Sequence, residues 1–177
     1  ADVVGVDKDA IAMNALGLMV AKKISCVFVV EQEKPVGIVT ERGFLKLVAK
    51  GVDLAALQVG EIMDSPVKGV RSKRKRQDIC GLLGKHGIRH LGVVGKDGKL
   101  TGVLTQRNLV AALGFDYFVS SATLSSVMSE GVVSLGKSSC AWDSLEAITG
   151  RGISCVVVME GATPGGIITE RDLCRAY

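Results

Sequence analysis

Apolar positions along this chain alternate between two rhythms. Ile11, Ala15, Leu18 and Met19 recur at helical spacing, as do Ile79, Leu82, Leu83 and His86, and again Ala141, Leu145 and Ile148. That spacing lays one apolar stripe along a helix in each stretch. A β-branched run follows every stripe, at Ser25 to Val30, Leu91 to Val94 and Ser154 to Met159. Each run gives way to residues suited to reversing the chain: Pro35, Asp97-Gly98, and Gly161 to Pro164. A second strand is predicted to end at a threonine, where a second helix opens. In the first stretch this helix is predicted from Arg42 to Lys50, stopping at Gly51. The predicted unit is β-α-β-β-α, three times over.

Self-comparison makes the repetition explicit. Val36-Gly37-Ile38-Val39-Thr40-Glu41-Arg42, Thr101-Gly102-Val103-Leu104-Thr105-Gln106-Arg107 and Gly165-Gly166-Ile167-Ile168-Thr169-Glu170-Arg171 end alike, with threonines 65 and 64 residues apart. Ile24, Ile88 and Ile153 are spaced by 64 and 65, and Met63 and Met128 by 65. Three independent landmarks share one period.

The unit resembles the CBS domain, named after cystathionine β-synthase. The hallmark of that family is Gly-h-h-Thr-x-x-Asp (h apolar) after a strand of the form Ile-x-x-h-x-Val. Ile88-Arg89-His90-Leu91-Gly92-Val93-Val94, followed by Gly102-Val103-Leu104-Thr105, matches it closely, and the likeness covers nearly the whole chain. It implies an α/β fold of tandem CBS-domain repeats paired about a pseudo-twofold axis. It also implies adenosine-containing ligands in clefts between repeats, and control of an attached effector domain or partner protein. On this reading residues 1-55 form repeat one with its N-terminal strand missing, 56-120 form repeat two, and 121-177 form repeat three. Repeats one and two would make one pair, joined by residues 114 to 123 to a third repeat that lacks a fourth partner. The alternative is a complete three-repeat protein whose third repeat pairs across a homodimer. The resemblance thus implies truncation at both ends, in keeping with a first residue, Ala1, that reads as a processed or excised start.

Composition narrows the function classes. Apolar residues make up 47% and charged residues 23% of 177, as in a soluble globular protein. Aromatics, at 4%, are too few for the stacking platform that single-stranded nucleic acid needs. The net charge of +4 has a local origin: without Arg71, Lys73, Arg74, Lys75 and Arg76 it would be −1. This basic run reads as a solvated loop, as a contact for ligand phosphates, or least readily as a nucleic-acid patch, since no recognition motif accompanies it. Five cysteines without a C-x-x-C pair suit a reducing, cytoplasmic setting and frame neither a disulfide nor a metal site. No apolar run approaches the roughly 18 residues of a membrane helix, and no signal peptide is visible.

Thr169-Glu170-Arg171-Asp172 closes a strand and opens a helix. Read without the family, it is a capping box, with a hydroxyl on a first-turn N–H and a carboxylate at the positive helix end. Read with it, the resemblance puts Asp172 on a ribose and Thr169 near a phosphate, at a helix N-terminus that favours anions. Repeat two has Asn108 at the aspartate position, an acceptor without charge, and repeat one has Gly43, which cannot hold a ribose. Arg42, Arg107 and Arg171 recur in the first helical turn, where a cation opposes the macrodipole. Either a ligand phosphate or the glutamate of a neighbouring repeat would compensate them. The resemblance adds strand residues facing the cleft, so the candidate ligand set is Thr40, Ile88, Arg89, His90, Thr105, Arg107, Asn108, Ile153, Ser154, Cys155, Thr169, Arg171 and Asp172. No catalytic constellation, metal cluster or phosphate-binding glycine loop can be placed. The leading expectation is a regulatory sensor of an adenine nucleotide, AMP, ADP, ATP or S-adenosylmethionine. The alternative is a dimerisation or interaction module with degenerate sites.

Overall fold

The computed structural model describes residues 3–67, 69–71, 76–113 and 123–177. Most of the basic run, the side chain of His86 and the connector 114–122 lie outside the described residues.

Three three-stranded sheets succeed one another along the chain: β1 (Gly5–Val6), β2 (Cys26–Glu31) and β3 (Lys34–Thr40); β4 (Gly69–Arg71), β5 (His90–Val94) and β6 (Leu100–Thr105); β7 (Ser134–Gly136), β8 (Cys155–Glu160) and β9 (Thr163–Thr169). In each sheet the first strand runs parallel to the second, so a crossover helix must join them. These helices are α1 (Ala12–Lys22), α4 (Arg76–His86) and α7 (Ala141–Arg151). Closing helices α2 (Glu41–Val48), α5 (Gln106–Leu113) and α8 (Glu170–Ala176) start directly after the threonines, and short helices α3 (Val59–Ile62) and α6 (Leu124–Val127) precede the first strands of repeats two and three.

The three crossover helices end by one device. Lys23, Gly87 and Gly152 take positive φ at 55°, 60° and 65°, immediately before the recurring isoleucines. The left-handed turn re-aims the chain into the next strand. Glycine adopts it freely, and a non-glycine residue such as lysine at a cost of about 1–2 kcal/mol.

Three expectations need correction. Repeat one does possess its N-terminal strand, because Gly5 and Val6 register against Phe28 and Val29. Two residues are too few to show as a pattern and hold only through pairing. The apolar stripe of α1 runs through Ala12, Ala15, Leu16 and Met19, whereas Ile11 is 37% exposed. Ile11 is the residue before the helix, so the helical face is counted from Ala12. Helix α2 opens at Glu41, one residue early, because Thr40 caps it, and it ends at Val48.

The chain divides into two compact units: residues 1–7, 28–38 and 64–128, and residues 8–27, 39–63 and 129–177. The first holds most of repeat one's hairpin together with repeat two. Its core is Val70, Leu83, Leu91 and Leu109, with Ile79, Leu82, Ile88, Val93 and Leu104 packed around it. A Cβ on Gly92 would come within 3.2 Å of Phe28 Cε1 and of Leu100 Cδ1, so glycine there permits the close approach of repeat one's sheet. The Leu100 amide donates to the Glu33 carbonyl at 3.0 Å, and Lys99 pairs with the Glu33 carboxylate. Beyond the hairpin, Ile38 and Asp64 exchange both backbone hydrogen bonds, at 3.1 and 2.9 Å.

In the second unit the helices of repeats one and three pack together: α2 lies against α7 and α8, and α1 against α8. Phe44, Leu45, Met19, Ile148, Leu173 and Cys174 are buried there. Burial pushes the thiols of Cys26 and Cys174 up to about 12, with the Glu41 carboxylate adding to the effect. At pH 8 about one such thiol in ten thousand is ionised. Iodoacetamide should therefore label exposed Cys140 in the native protein and reach Cys26 and Cys174 only after unfolding. Mass spectrometry showing early labelling of either buried cysteine would contradict this packing.

Candidate functional site

Every closing helix opens on a threonine, but the residue three positions beyond it differs from repeat to repeat. In repeat three the Thr169 hydroxyl accepts from the Asp172 amide at 3.4 Å, while Asp172 Oδ2 accepts from the Thr169 amide at 3.0 Å and its hydroxyl at 2.6 Å. The Thr169 hydroxyl bond is the main force holding the Asp172 carboxyl below its ordinary range, helped by the Thr169 amide and by Arg175 and Arg171, against partial desolvation. The capping reading is thus realised, and it occupies one carboxylate oxygen. The other, Oδ1, lies 3.9 Å from Arg175 Nη1, and Asp172 itself is exposed.

Repeat two builds the same box without charge. Asn108 Oδ1 accepts from the Thr105 amide at 3.0 Å and hydroxyl at 2.8 Å, and the Asn108 amide donates to Thr105 Oγ1 at 3.2 Å. Both lone pairs of Oδ1 are then used. Asn108 consequently offers a ligand an N–H donor, not the acceptor expected from its identity. In repeat one only half of the box survives: Thr40 Oγ1 accepts from the Gly43 amide at 3.1 Å.

Strand pairing brings the other candidates beside these boxes. His90 registers against Thr105 and Cys155 against Thr169. Ile88, Arg89 and His90 are half-buried, as are Ile153 and Cys155. The Gln106 amide donates to the Arg89 carbonyl and the Glu170 amide to the Ser154 carbonyl, both at 3.2 Å, tying each helix start to its strand.

The recurring arginines of repeats one and three are compensated by protein carboxylates. Arg42 Nε donates to Glu170 Oε1 at 2.6 Å, and Arg171 Nε donates to Glu41 Oε1 at 2.9 Å. Each glutamate sits in a first helical turn, where negative charge is favoured, and neutralises the arginine that the facing helix places against its own dipole. Both glutamates, Glu41 and Glu170, are buried, at 8% and 4% exposure. Arg42 Nη2 also donates to Ser154 Oγ at 3.0 Å and to the Ile153 carbonyl at 3.4 Å. Repeat one thus contributes a guanidinium directly to the candidate strand of repeat three. Arg42, Glu41 and Glu170 do not figure among the ligand candidates that the sequence suggests. Of the two compensating groups that the sequence offers for Arg42 and Arg171, the structure has the glutamate of a neighbouring repeat.

A shallow depression of about 440 Å³ at Gly136, Lys137, Ser138, Met159, Glu160 and Gly161 lies at the opposite end of β8 from Cys155 and contains none of the candidates. Among the described residues no cluster of His, Cys, Asp and Glu is arranged to hold a metal ion, and no helix is long and apolar enough to cross a membrane.

Comparison with known proteins agrees with this construction. The CBS domain family model matches residues 1–50 and 59–114. An uncharacterized protein of Methanopyrus kandleri is 33% identical over 87 residues, covering 49% of this chain and 44% of that protein. The chain spans about half the length of the curated relatives it matches. Among solved structures, protein MJ1225 from Methanocaldococcus jannaschii superposes with a TM-score of 0.85 at 18% identity, covering 99% of this chain and 68% of that one. A CBS domain protein from Pyrobaculum aerophilum, complexed with AMP, gives a TM-score of 0.57 at 26% identity over 61% of this chain and 83% of its own. With the family model on its first two repeats and the same order of elements in its third, the chain belongs to the CBS domain family.

Proposed function

We propose that this chain is a cytoplasmic regulatory module that binds an adenosine-containing nucleotide and passes the binding to an attached effector domain or partner protein, without catalysing a reaction itself. The observation that carries the reading is the division of labour within Asp172. Its cap consumes Oδ2 and leaves Oδ1 on an exposed, ionised carboxylate able to accept hydrogen bonds from ribose hydroxyls. Ile153, Ser154 and Cys155 line the adjoining strand, and Arg171 and Thr169 flank the helix start. Repeat two offers a second site at Ile88, Arg89, His90, Thr105, Arg107 and Asn108, whose Thr105–Asn108 box carries no charge. Thr40 lies in the repeat whose box is incomplete. The AMP complex of the Pyrobaculum aerophilum relative supports the choice of ligand class. A nucleotide that favours one arrangement of the repeats over another biases the effector by its difference in affinity.

A second reading, an interaction module with decayed sites, draws on Gly43, which removes the acceptor from repeat one. Titration calorimetry of the 177-residue chain with AMP, ADP, ATP and S-adenosylmethionine separates the two. Sensing predicts saturable heat with at least one of them, and about 2.7 kcal/mol of added stability at a hundredfold excess over Kd. No heat and no rise in melting temperature with any of the four would reject nucleotide sensing and leave the interaction module.

A further inference from the structure

Repeats two and three each start a closing helix beside their second strand, and they build this corner from side chains of opposite charge balance. Counting from the recurring isoleucines and threonines, Arg89, Gln106, Arg107 and Asn108 of repeat two stand where repeat three has Ser154, Glu170, Arg171 and Asp172. In repeat three these side chains carry a net charge of −1, because Glu170 and Asp172 outweigh Arg171; in repeat two Arg89 and Arg107 make it +2. The backbone frames match. The Gln106 amide donates to the Arg89 carbonyl as the Glu170 amide does to that of Ser154, both at 3.2 Å, and a threonine hydroxyl accepts from the helix in each box.

What each corner offers a ligand differs accordingly. In repeat three Glu41 takes up Arg171, and Asp172 keeps an oxygen that can accept from a hydroxyl. In repeat two the cap uses both lone pairs of Asn108 Oδ1, which leaves the side-chain NH2 as a donor. Arg107 is exposed, and among the described residues no ion pair holds it, although both of its counterparts are held by carboxylates. A guanidinium also donates and never accepts. Arg89, Arg107 and Asn108 thus offer donors alone, at the start of an eight-residue helix whose dipole favours negative charge. Such a set suits oxygens that only accept, and the planar fork of arginine matches phosphate.

We propose, resting on the reading of these corners as ligand sites, that repeat two is a polyphosphate site: Arg89, Arg107 and the Asn108 side-chain amide hold a di- or triphosphate group, and the sugar goes unread. A free polyphosphate and the phosphate chain of a nucleoside triphosphate share this chemistry. Repeat two then distinguishes ligands by their number of phosphates, and repeat three by their ribose hydroxyls.

Arg89→Ser combined with Asn108→Asp gives repeat two the residues of repeat three. Ser154 and Asp172 show that both fit this backbone, so the double variant should melt near the wild-type temperature. In titration calorimetry of the full chain, inorganic tripolyphosphate should bind saturably, and more weakly as salt rises. The double variant should bind it about a hundredfold less tightly, since charge-assisted contacts are lost, whereas Asp172→Asn should leave its binding unchanged. Displacement by ATP and deoxy-ATP in equal measure identifies the phosphate chain of a nucleotide as the occupant. Displacement by neither identifies a free polyphosphate, and both results uphold the site. Tripolyphosphate that does not bind, or that binds the double variant as tightly as the wild type, would overturn it, and so would a strong preference for ATP over deoxy-ATP. Heat with AMP but none with tripolyphosphate would keep nucleotide sensing and remove this site. No heat with any nucleotide, alongside tripolyphosphate binding that the double variant loses, would do the reverse.

Discussion

Arg42→Ala is expected to destabilise the unit that joins repeats one and three by about 3 kcal/mol, because it takes an ion-pair partner from a buried carboxylate. Glu170 is 4% exposed and takes Arg42 Nε at 2.6 Å. Without the guanidinium its charge has lost an ion-pair partner, and burial keeps water from taking that place. The reverse substitution should cost less. In Glu170→Ala, Arg42 keeps Ser154 Oγ and the Ile153 carbonyl as acceptors, and its side chain is 31% exposed, so it can turn toward water. The two single changes should therefore be unequal, with the arginine deletion the worse. Replacing both, Arg42→Met with Glu170→Gln, should recover most of the loss, since a buried pair exchanged for neutral groups of similar volume is often close to neutral. Urea unfolding of the four proteins measures the three costs. A cost below about 1 kcal/mol for Arg42→Ala would make the pair an ordinary surface contact, and the packing of α2 on α8 would then rest on the buried Phe44, Leu45, Leu173 and Cys174 together with the Arg171–Glu41 pair.

The same interface shows what the chain discloses by itself. The period of the threonines and isoleucines, the helical stripes and the β-branched runs are local signals, and they suffice to lay out three β-α-β-β-α units. The demand of Arg42 and Arg171 for an opposing charge is also local, since each opposes its own helix dipole. The identity of the compensating group is not, because Glu170 stands 128 residues from Arg42. The triplet shared by repeats one and three points to it, yet a ligand phosphate meets the same demand. β1 escapes sequence reading for a different reason. Gly5 and Val6 have no pattern of their own and become a strand only against Phe28 and Val29. At the candidate site the residue types are legible and their free valences are not. Asn108 and Asp172 look alike as acceptors, but the caps use both lone pairs of the single amide oxygen and only one of two carboxylate oxygens.

That difference makes Asp172 the position where nucleotide affinity should be most sensitive. A hydrogen bond to a charged group contributes about 1.5–3 kcal/mol, so Asp172→Ala should weaken AMP binding by roughly tenfold to a hundredfold. It also removes half of a capping box, at about 1 kcal/mol of stability, and a loss of affinity alone would not distinguish a ribose contact from a loosened helix. Asp172→Asn does distinguish them. Asn108 shows that an asparagine completes the box, so this variant should melt near the wild-type temperature while presenting an N–H donor in place of Oδ1, and its affinity should still fall by about tenfold or more. The pH dependence has a definite sign. The Asp172 carboxyl is held below its ordinary range in the folded protein, so the stabilisation it gives is complete above the unfolded carboxylate pKa and is lost as the pH falls through the lower, folded value. Any loss of binding that comes from protonation of Asp172 should accordingly appear only in solution more acid than about pH 5. Wild-type affinity in Asp172→Asn, with a loss in Asn108→Ala, would move the nucleotide to repeat two and leave Thr169 and Asp172 with their capping role alone.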